Sequence, residues 1–113
     1  IPALAWRIEI AGQSIVITGS FNNSKNLVAS FAQDADALVV SHAIPENSRG
    51  VLRDLYARPS QLGRVADQAD ARMMILGHRS VRTRGRESLS RNAIEENYNG
   101  TILFANDGEC WGL

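Results

Sequence analysis

The sequence lacks the features that mark several protein classes. Its 113 residues contain one cysteine, Cys110, which excludes an internal disulfide. No apolar run approaches the roughly 18 residues that a membrane-spanning helix needs. The 12 basic and 12 acidic side chains cancel, which argues against a general polyanion-binding protein. We therefore expect one globular domain over residues 1–113, cytoplasmic and without a membrane partner.

The first third of the chain predicts a β-hairpin followed by a helix. Apolar residues alternate with Ala, Arg and Glu from Leu4 to Ile10, which is the period of a half-buried strand. A short reversal at Ala11-Gly12-Gln13 leads into the β-branched segment Ser14–Thr18. Asn22, Asn23 and Ser24 then offer capping oxygens, and the helical spacing after them predicts a helix to about Gln33.

The middle of the chain alternates strands and helices. The continuous apolar runs Ala37–Val40 and Met73–Leu76 are typical of strands buried in a parallel sheet. Between them, helical spacing begins near Val51 and again at Pro59, which suits the first turn of a helix. The pattern predicts βαβ units, and hence an α/β fold.

The last third predicts one helix and two strands. Residues 79–88 form an Arg- and Ser-rich loop, and Leu89–Tyr98 follows with helical spacing. We expect closing strands at Thr101–Ala105 and Cys110–Leu113 around the turn Asn106-Asp107-Gly108, with Cys110 packed in the second. The whole chain therefore predicts a mixed β-sheet with helices mainly on one face.

The order of these segments resembles the C-terminal half of metallo-β-lactamase-fold hydrolases, in particular the ribonuclease Z and arylsulfatase-like branch. The resemblance covers nearly the whole chain. It rests on motifs that match the family in order and spacing: Gly19 after the hairpin, Ala35-Asp36 before a strand, Gly63-Arg64-Val65-Ala66 in a helix, His78 after a strand, and Gly100 with Asp107 near the end. It implies half of an αββα sandwich.

The resemblance also implies a damaged metal site. The family binds two zinc ions, mostly through histidines of an N-terminal half that this chain does not contain. Its C-terminal half supplies a bridging Asp, where this chain has Ser20, and a strand-end His, which His78 matches. Two further positions of the family's His and Glu residues hold Val40-Ser41 and Tyr56. We expect no cofactor in the isolated chain, and zinc only if a partner completes the site.

Two histidines are candidates for binding a metal ion. His78 follows an apolar strand, at the end where α/β folds place their chemistry. His42 also follows a strand and would join His78 in a two-His site if the strands are neighbours. The alternative is that each is an ordinary strand-end residue. A hydrolytic triad of Ser20, a histidine and Asp36 lacks the sharp turn that exposes a nucleophile.

The positive loop predicts a different kind of site. Arg79, Arg82, Arg84 and Arg86 follow one another without an acid between them, and guanidinium groups bind phosphate or carboxylate well. The alternative explanation of these four arginines is a solvated loop whose charge is balanced by the glutamates at 87, 95 and 96. Since no aromatic residue lies nearby for base stacking, we expect no nucleic-acid partner.

We expect the chain to form a homodimer through its open sheet face. With only one half of the sandwich, helices on one side leave the other face uncovered. Leaving even ~800 Å² of apolar sheet in water would forgo roughly 20 kcal/mol. The expected face residues are Trp6, Ile8, Ile15, Ile17, Ile102 and Phe104. Two alternatives stay open: a metal-dependent hydrolase completed by a missing N-terminal half or a partner chain, and a small anion- or nucleic-acid-binding module.

Overall fold

The chain forms one five-stranded sheet in the computed structural model, which describes residues 4–113. The strands lie side by side in chain order; β1 runs antiparallel to β2, and the other neighbours are parallel. The predicted mixed sheet is therefore confirmed. The strands are β1 (Ala5–Ile10), β2 (Gln13–Thr18), β3 (Ala37–Ser41), β4 (Met73–Gly77) and β5 (Thr101–Phe104).

The helices lie mainly on one face of this sheet, as predicted. They are α1 (Val28–Phe31), α2 (Val51–Leu55), α3 (Pro59–Gln68) and α4 (Glu87–Glu95). Side chains from α1, α3 and α4 share a core with one face of the central strands, where burial in the protein removes them from water. The largest core side chains that are less than 2% exposed are Leu38, Leu62, Met74, Leu76 and Ile94.

A two-residue turn sets the register of the predicted hairpin. Ala11 and Gly12 both have positive φ, 54° and 77°, which is the pattern of the turn that fits the twist of paired strands. Ile10 pairs with Gln13 across it, and the ladder continues to Ala5 opposite Thr18. This register places Trp6 and Ile8 beside Ile17 and Ile15 on one face of the sheet.

The start of α3 confirms the role predicted for Pro59. Proline needs no hydrogen-bond partner for its nitrogen in the first turn of a helix. Glu46 accepts hydrogen bonds from the Ser60 N–H at 2.9 Å and from its hydroxyl at 2.6 Å. The Arg58 N–H donates to the Gln61 side chain at 2.9 Å. These contacts fix the helix beside the end of β3.

The helix predicted to run to about Gln33 is wrong in its extent. It spans only Val28–Phe31. The asparagines offered as caps belong to an irregular segment instead, because Asn23 and Asn26 adopt left-handed φ angles of 61° and 50°. The Asn22 side chain accepts from the Ser24 N–H at 2.9 Å, which stabilises that turn rather than a helix.

The strand predicted at Cys110–Leu113 is also wrong. The chain turns after Asn106, but the last residues do not pair with β5. Arg91 of α4 already donates to the Ile102 carbonyl of β5 at 3.2 Å. Trp111 instead packs against the sheet face that lacks helices, beside Met73 and Ile75. Cys110 is exposed, so the expectation that it is packed is wrong as well.

Two residues assigned to the open face belong to the other side of the sheet. Ile102 is buried in the core shared with the helices, and Phe104 packs against that core. The pairing of Ile102 with Met74 fixes this orientation. In a strand as apolar as β5, both alternating sets of side chains look suited to burial, so the sequence pattern does not separate them.

Gly63 controls the closest approach between α3 and α4. A Cβ at this position would lie 2.6 Å from the Ile94 carbonyl oxygen. We predict that Gly63→Ala lowers the free energy of unfolding by about 1–2 kcal/mol, because overpacking outweighs the better helix propensity of alanine. Urea unfolding measures this. Gly77→Ala is the control, since nothing lies within 4 Å of its Cβ position; equal losses in both variants would contradict the packing argument.

Candidate functional site at the carboxyl edge of the sheet

The carboxyl ends of four strands meet at one edge of the sheet. Because β2, β3, β4 and β5 are parallel, the residues that follow them share that edge. Ser20 lies beyond β2, His42 beyond β3 and His78 beyond β4. Asp36 precedes β3 and therefore lies at the opposite edge, where its carboxylate accepts from the Ser14 N–H at 2.8 Å. The structure thus separates Ser20 from Asp36.

His42 is a buried residue at this edge. Its side chain is 1% exposed, and its Nε2 lies 2.7 Å from the Ser90 hydroxyl of α4. Its ring also lies against Phe104, with 5.5 Å between the ring centroids. Within residues 4–113, the buried Nδ1 atom has no hydrogen-bond partner. The pKa of His42 is lowered to about 4, mainly by burial; the Glu87 carboxylate opposes this shift and the Arg79 charge adds to it.

His78 has a different environment. It is exposed, has a left-handed φ of 50°, and lines an open pocket of about 400 Å³ with Arg79, Arg84 and Asn106. Its neighbour in the pocket, Asp107, adds a carboxylate to the rim. His78 is therefore free to meet solvent or a ligand from this edge.

The two histidines are neighbours in backbone, but their rings lie in different surroundings. The His42 N–H donates to the Gly77 carbonyl at 2.8 Å, so their strands are neighbours, which is the condition for a two-His site. The His42 ring, however, lies buried against α4, while His78 is exposed to solvent. In the described part of the chain, no three His, Cys, Asp or Glu side chains come together as a metal site. These residues do not fit the zinc centre that the resemblance implies.

The positions where the family has other ligands hold residues of another chemistry. Ser20 is exposed and brings a neutral hydroxyl. Val40 is buried in the core, Ser41 closes β3, and Tyr56 ends α2. Among Val40, Ser41 and Tyr56 none offers a carboxylate or imidazole, which are the ligands that Zn²⁺ prefers besides thiolate.

The Arg-rich loop is tied down rather than free. Arg79 donates to Glu87 at 2.9 Å, to the Ala105 carbonyl at 2.7 Å and to the Asn106 side chain. The Thr83 hydroxyl donates to the His42 carbonyl at 2.8 Å, and the Ser80 hydroxyl donates to the Ala43 carbonyl at 2.8 Å. Arg82, Arg84 and Arg86 are exposed. Of the four predicted anion-binding arginines, Arg79 thus already serves the fold.

Ser90 and Thr83 are the partners of His42 that sequence reasoning missed. Thr83 is completely buried, and Ser90 is 1% exposed. A signal for Ser90 exists, because it lies three and four residues before Ala93 and Ile94, on the buried face of α4. No local signal marks Thr83, whose role depends on the loop folding back onto the end of β3.

The face opposite the helices carries a second candidate site, made of side chains rather than of strand ends. A small apolar cluster on this face includes Met73 and Ile75. Partly buried side chains pack against it, among them Ile15, Val39, Leu103 and Trp111. Beyond this cluster, the hairpin leaves large apolar side chains in water. Trp6 is 66% and Ile10 is 70% exposed, and Ile8 and Ile17 are each 39% exposed.

Comparison with known proteins gives a likeness to solved structures. No protein-family model and no curated protein matches the chain. Among solved structures it is similar to the metallo-β-lactamase fold protein YhfI from Bacillus subtilis, with a TM-score of 0.82 and 21% identity over 95% of this chain. The match covers 43% of YhfI, so the chain spans less than half of that protein. The chain therefore has a metallo-β-lactamase-like fold over part of such a protein's length, as the motifs predicted.

One further finding concerns membranes. Across residues 4–113, the helices are all too short or too polar to cross a bilayer.

The burial of His42 generates a pH prediction. Its pKa is about 4 when folded and near 6.5 when unfolded, so the unfolded chain binds more protons and stability falls as pH drops between these values. We expect a loss of about 2 kcal/mol between pH 7.5 and 5. Urea unfolding of His42→Gln should lack this loss, and exposed His78→Gln should retain it. An unchanged pH dependence in His42→Gln would contradict the assignment.

Proposed function

We propose that this chain is one half of an αββα sandwich, with no independent dinuclear hydrolase activity, that binds a second β-layer on its open face. The simplest second layer is another copy of the chain. The observation that carries the proposal is the apolar surface of the hairpin, where Trp6 and Ile10 lie mostly in water. The alternative occupant is a complementary half from the same or a partner protein, as 43% coverage of YhfI allows.

The size of the exposed surface supports the proposal. Five exposed apolar side chains lie along the hairpin, from the residue before β1 to the end of β2: Leu4, Trp6, Ile8, Ile10 and Ile17. Together they offer on the order of 500 Å² of apolar surface, which is as large as the largest patch on a typical monomer. At ~25 cal/mol per Å², covering it would contribute roughly 12 kcal/mol before the costs of association. A face of this size is typical of an interaction surface.

The two-fold contact would place like on like. In an isologous interface the same patch meets itself, so Trp6 and Ile17 of one copy would face the hairpin of the other. Trp111 already covers the neighbourhood of Met73 and Ile75, so the contact centres on β1 and β2 rather than on the whole sheet. Packing of sheets face to face at about 10 Å would rebuild the second layer of the sandwich.

The residues at the carboxyl edge support the absence of an independent dinuclear centre. Ser20 replaces the carboxylate that would bridge two cations, and His42 is committed to Ser90. His78 remains as a single accessible imidazole, whereas a zinc site needs at least three protein ligands. The chain by itself therefore supplies too few ligands for a dinuclear zinc site.

The anion-binding alternative has less support from the geometry. The Arg79 guanidinium already donates hydrogen bonds to Glu87, to the Ala105 carbonyl and to the Asn106 side chain. Arg84 also lines the pocket of His78 and Arg79, but Asp107 lines it too and its carboxylate opposes an anionic ligand. We therefore place the function in the sheet face rather than in the loop.

We predict that the purified chain binds less than one equivalent of zinc tightly. Elemental analysis of metal-loaded and dialysed protein measures this, and His78→Ala should remove whatever zinc remains. Ser20→Asp restores one carboxylate but should not create a dinuclear site, because the other ligands stay absent. Two tightly bound zinc ions per chain would refute the degenerate site.

We predict that Ile17→Lys weakens self-association at least tenfold. A lysine in the centre of the face must lose its hydration when a second layer covers it, which opposes burial. Light scattering at micromolar concentration measures the molar mass. Leu89→Lys is the control, since Leu89 is exposed on the helix side. A folded protein that stays monomeric before any substitution would overturn the second-copy proposal and leave the complementary half as the occupant.

A further inference from the structure

The outer edge of β1 is unpaired in the described chain. β1 is the first strand in the order of the sheet, and β2 lies on one side of it. Five of its six residues are exposed, with Arg7 half-buried. An open strand edge of this length carries free N–H and C=O groups that can pair with another strand.

The register shows which backbone groups point outward. The Leu4 carbonyl accepts from the Gly19 N–H at 3.0 Å, so Leu4 points toward β2. Backbone direction alternates along a strand, so Trp6, Ile8 and Ile10 also point toward β2. The N–H and C=O groups of Ala5, Arg7 and Glu9 therefore point to the open edge.

The side chains of β1 are complementary to a second β1. In an antiparallel pair centred on Ile8, Arg7 stands opposite Glu9 of the other copy, twice by symmetry. On the other face of the strand, Trp6 stands opposite Ile10 and Ile8 opposite itself. Opposite charges and aromatic–β-branched pairs are both stabilising across strands. A shift by one residue would lose both matches.

We propose that two copies of this chain join through their β1 edges in this antiparallel register, which makes one continuous ten-stranded sheet. The register gives four backbone hydrogen bonds, because Arg7 and Glu9 of each copy exchange both of theirs with the partner's Glu9 and Arg7. This contact uses the strand edge rather than the open face, so it holds whichever second layer covers the face.

The other edge of the sheet is less suited to such pairing. β5 has four residues, and its Ile102 carbonyl accepts from Arg91 of α4. In β1, by contrast, the Arg7 side chain leaves the edge toward the helix layer. It donates to the Phe31 and Gln33 carbonyls at the end of α1, at 3.0 and 2.9 Å, and to Glu9 at 3.0 Å. The charged pair is thus held in place before a partner arrives.

The register makes Ile8 the sharpest test. In this register the two copies of Ile8 stand directly opposite each other, and their backbone N–H and C=O groups point away from the shared edge. In such a non-hydrogen-bonded pair the Cα atoms lie about 4.5 Å apart, a distance that a disulfide can span. In a Cys110→Ser background, Ile8→Cys should form a disulfide-linked dimer under mild oxidation, seen as a doubled mass on a non-reducing gel. Ile17→Cys is the matched control, because Ile17 has the same 39% exposure but lies one strand inward.

The cross-linking outcomes separate this inference from the proposed function. Ile8→Cys cross-linking at least tenfold faster than Ile17→Cys supports pairing at the edge. Equal rates, or faster linking of Ile17→Cys, would overturn it and indicate contact through the face. The absence of cross-linking in both would also overturn it, while the face-centred proposal would still be decided by the molar mass of Ile17→Lys.

A charge substitution gives a second test that does not depend on a cysteine. Glu9→Arg places like charges opposite each other at two symmetric positions and should weaken edge pairing about tenfold. Glu96→Arg carries the same charge change at an exposed position at the end of α4 and is the control. Unchanged association in Glu9→Arg, measured by light scattering at two salt concentrations, would contradict the register.

Discussion

A β-sheet has two faces, and this chain supplies helices for only one of them. α1, α3 and α4 bury Leu38, Met74 and Leu76, and this shared core fixes the register of every parallel strand. Within residues 4–113, the opposite face is covered by the C-terminal segment, whose Trp111 packs beside Met73 and Ile75. The hairpin strands therefore stay open on the far side. The tryptophan and the isoleucines of the hairpin are exposed because the helices lie mainly on the other face of the sheet.

The same arrangement decides what the carboxyl edge can do. β3 ends against α4, and His42, the first residue after it, becomes buried against Ser90. Thr83 and Ser80 then tie the Arg-rich loop to the backbone of residues 42 and 43. The hydroxyl groups of Thr83 and Ser80 thus hold the loop against the end of β3 and give the buried carbonyl groups there the hydrogen-bond partners that they need. His78 remains outside this network, in an open pocket that Asp107 also lines, and no third ligand residue joins them within residues 4–113.

Much of the fold follows from the sequence because its signals are local. Alternation in β1, the Ala11-Gly12 turn and the apolar runs of β3 and β4 depend on residues a few positions apart, and the structure agrees with each. The errors concern choices that distant residues make. Whether Ile102 faces helices depends on its pairing with Met74, and whether Cys110–Leu113 forms a strand depends on what occupies the edge of β5. The burial of His42 against Ser90, 48 positions away in the chain, is likewise invisible in either segment.

Fold and metal chemistry depend on different residues, and so one can persist without the other. Strand order and helix packing depend on buried apolar side chains such as Val16, Leu62 and Val65. Their packing does not depend on which polar residues follow the strands. Any metal site would depend instead on the polar residues that follow the strands, such as Ser20 after β2 and His78 after β4, and neither of them contributes to the core. Each half of a sandwich, however, needs the other half to keep apolar surface from water. A sheet with helices mainly on one face therefore benefits from a second layer whether or not it binds a metal ion, and in this chain the exposed Trp6 and Ile10 lie on the face that such a layer would cover.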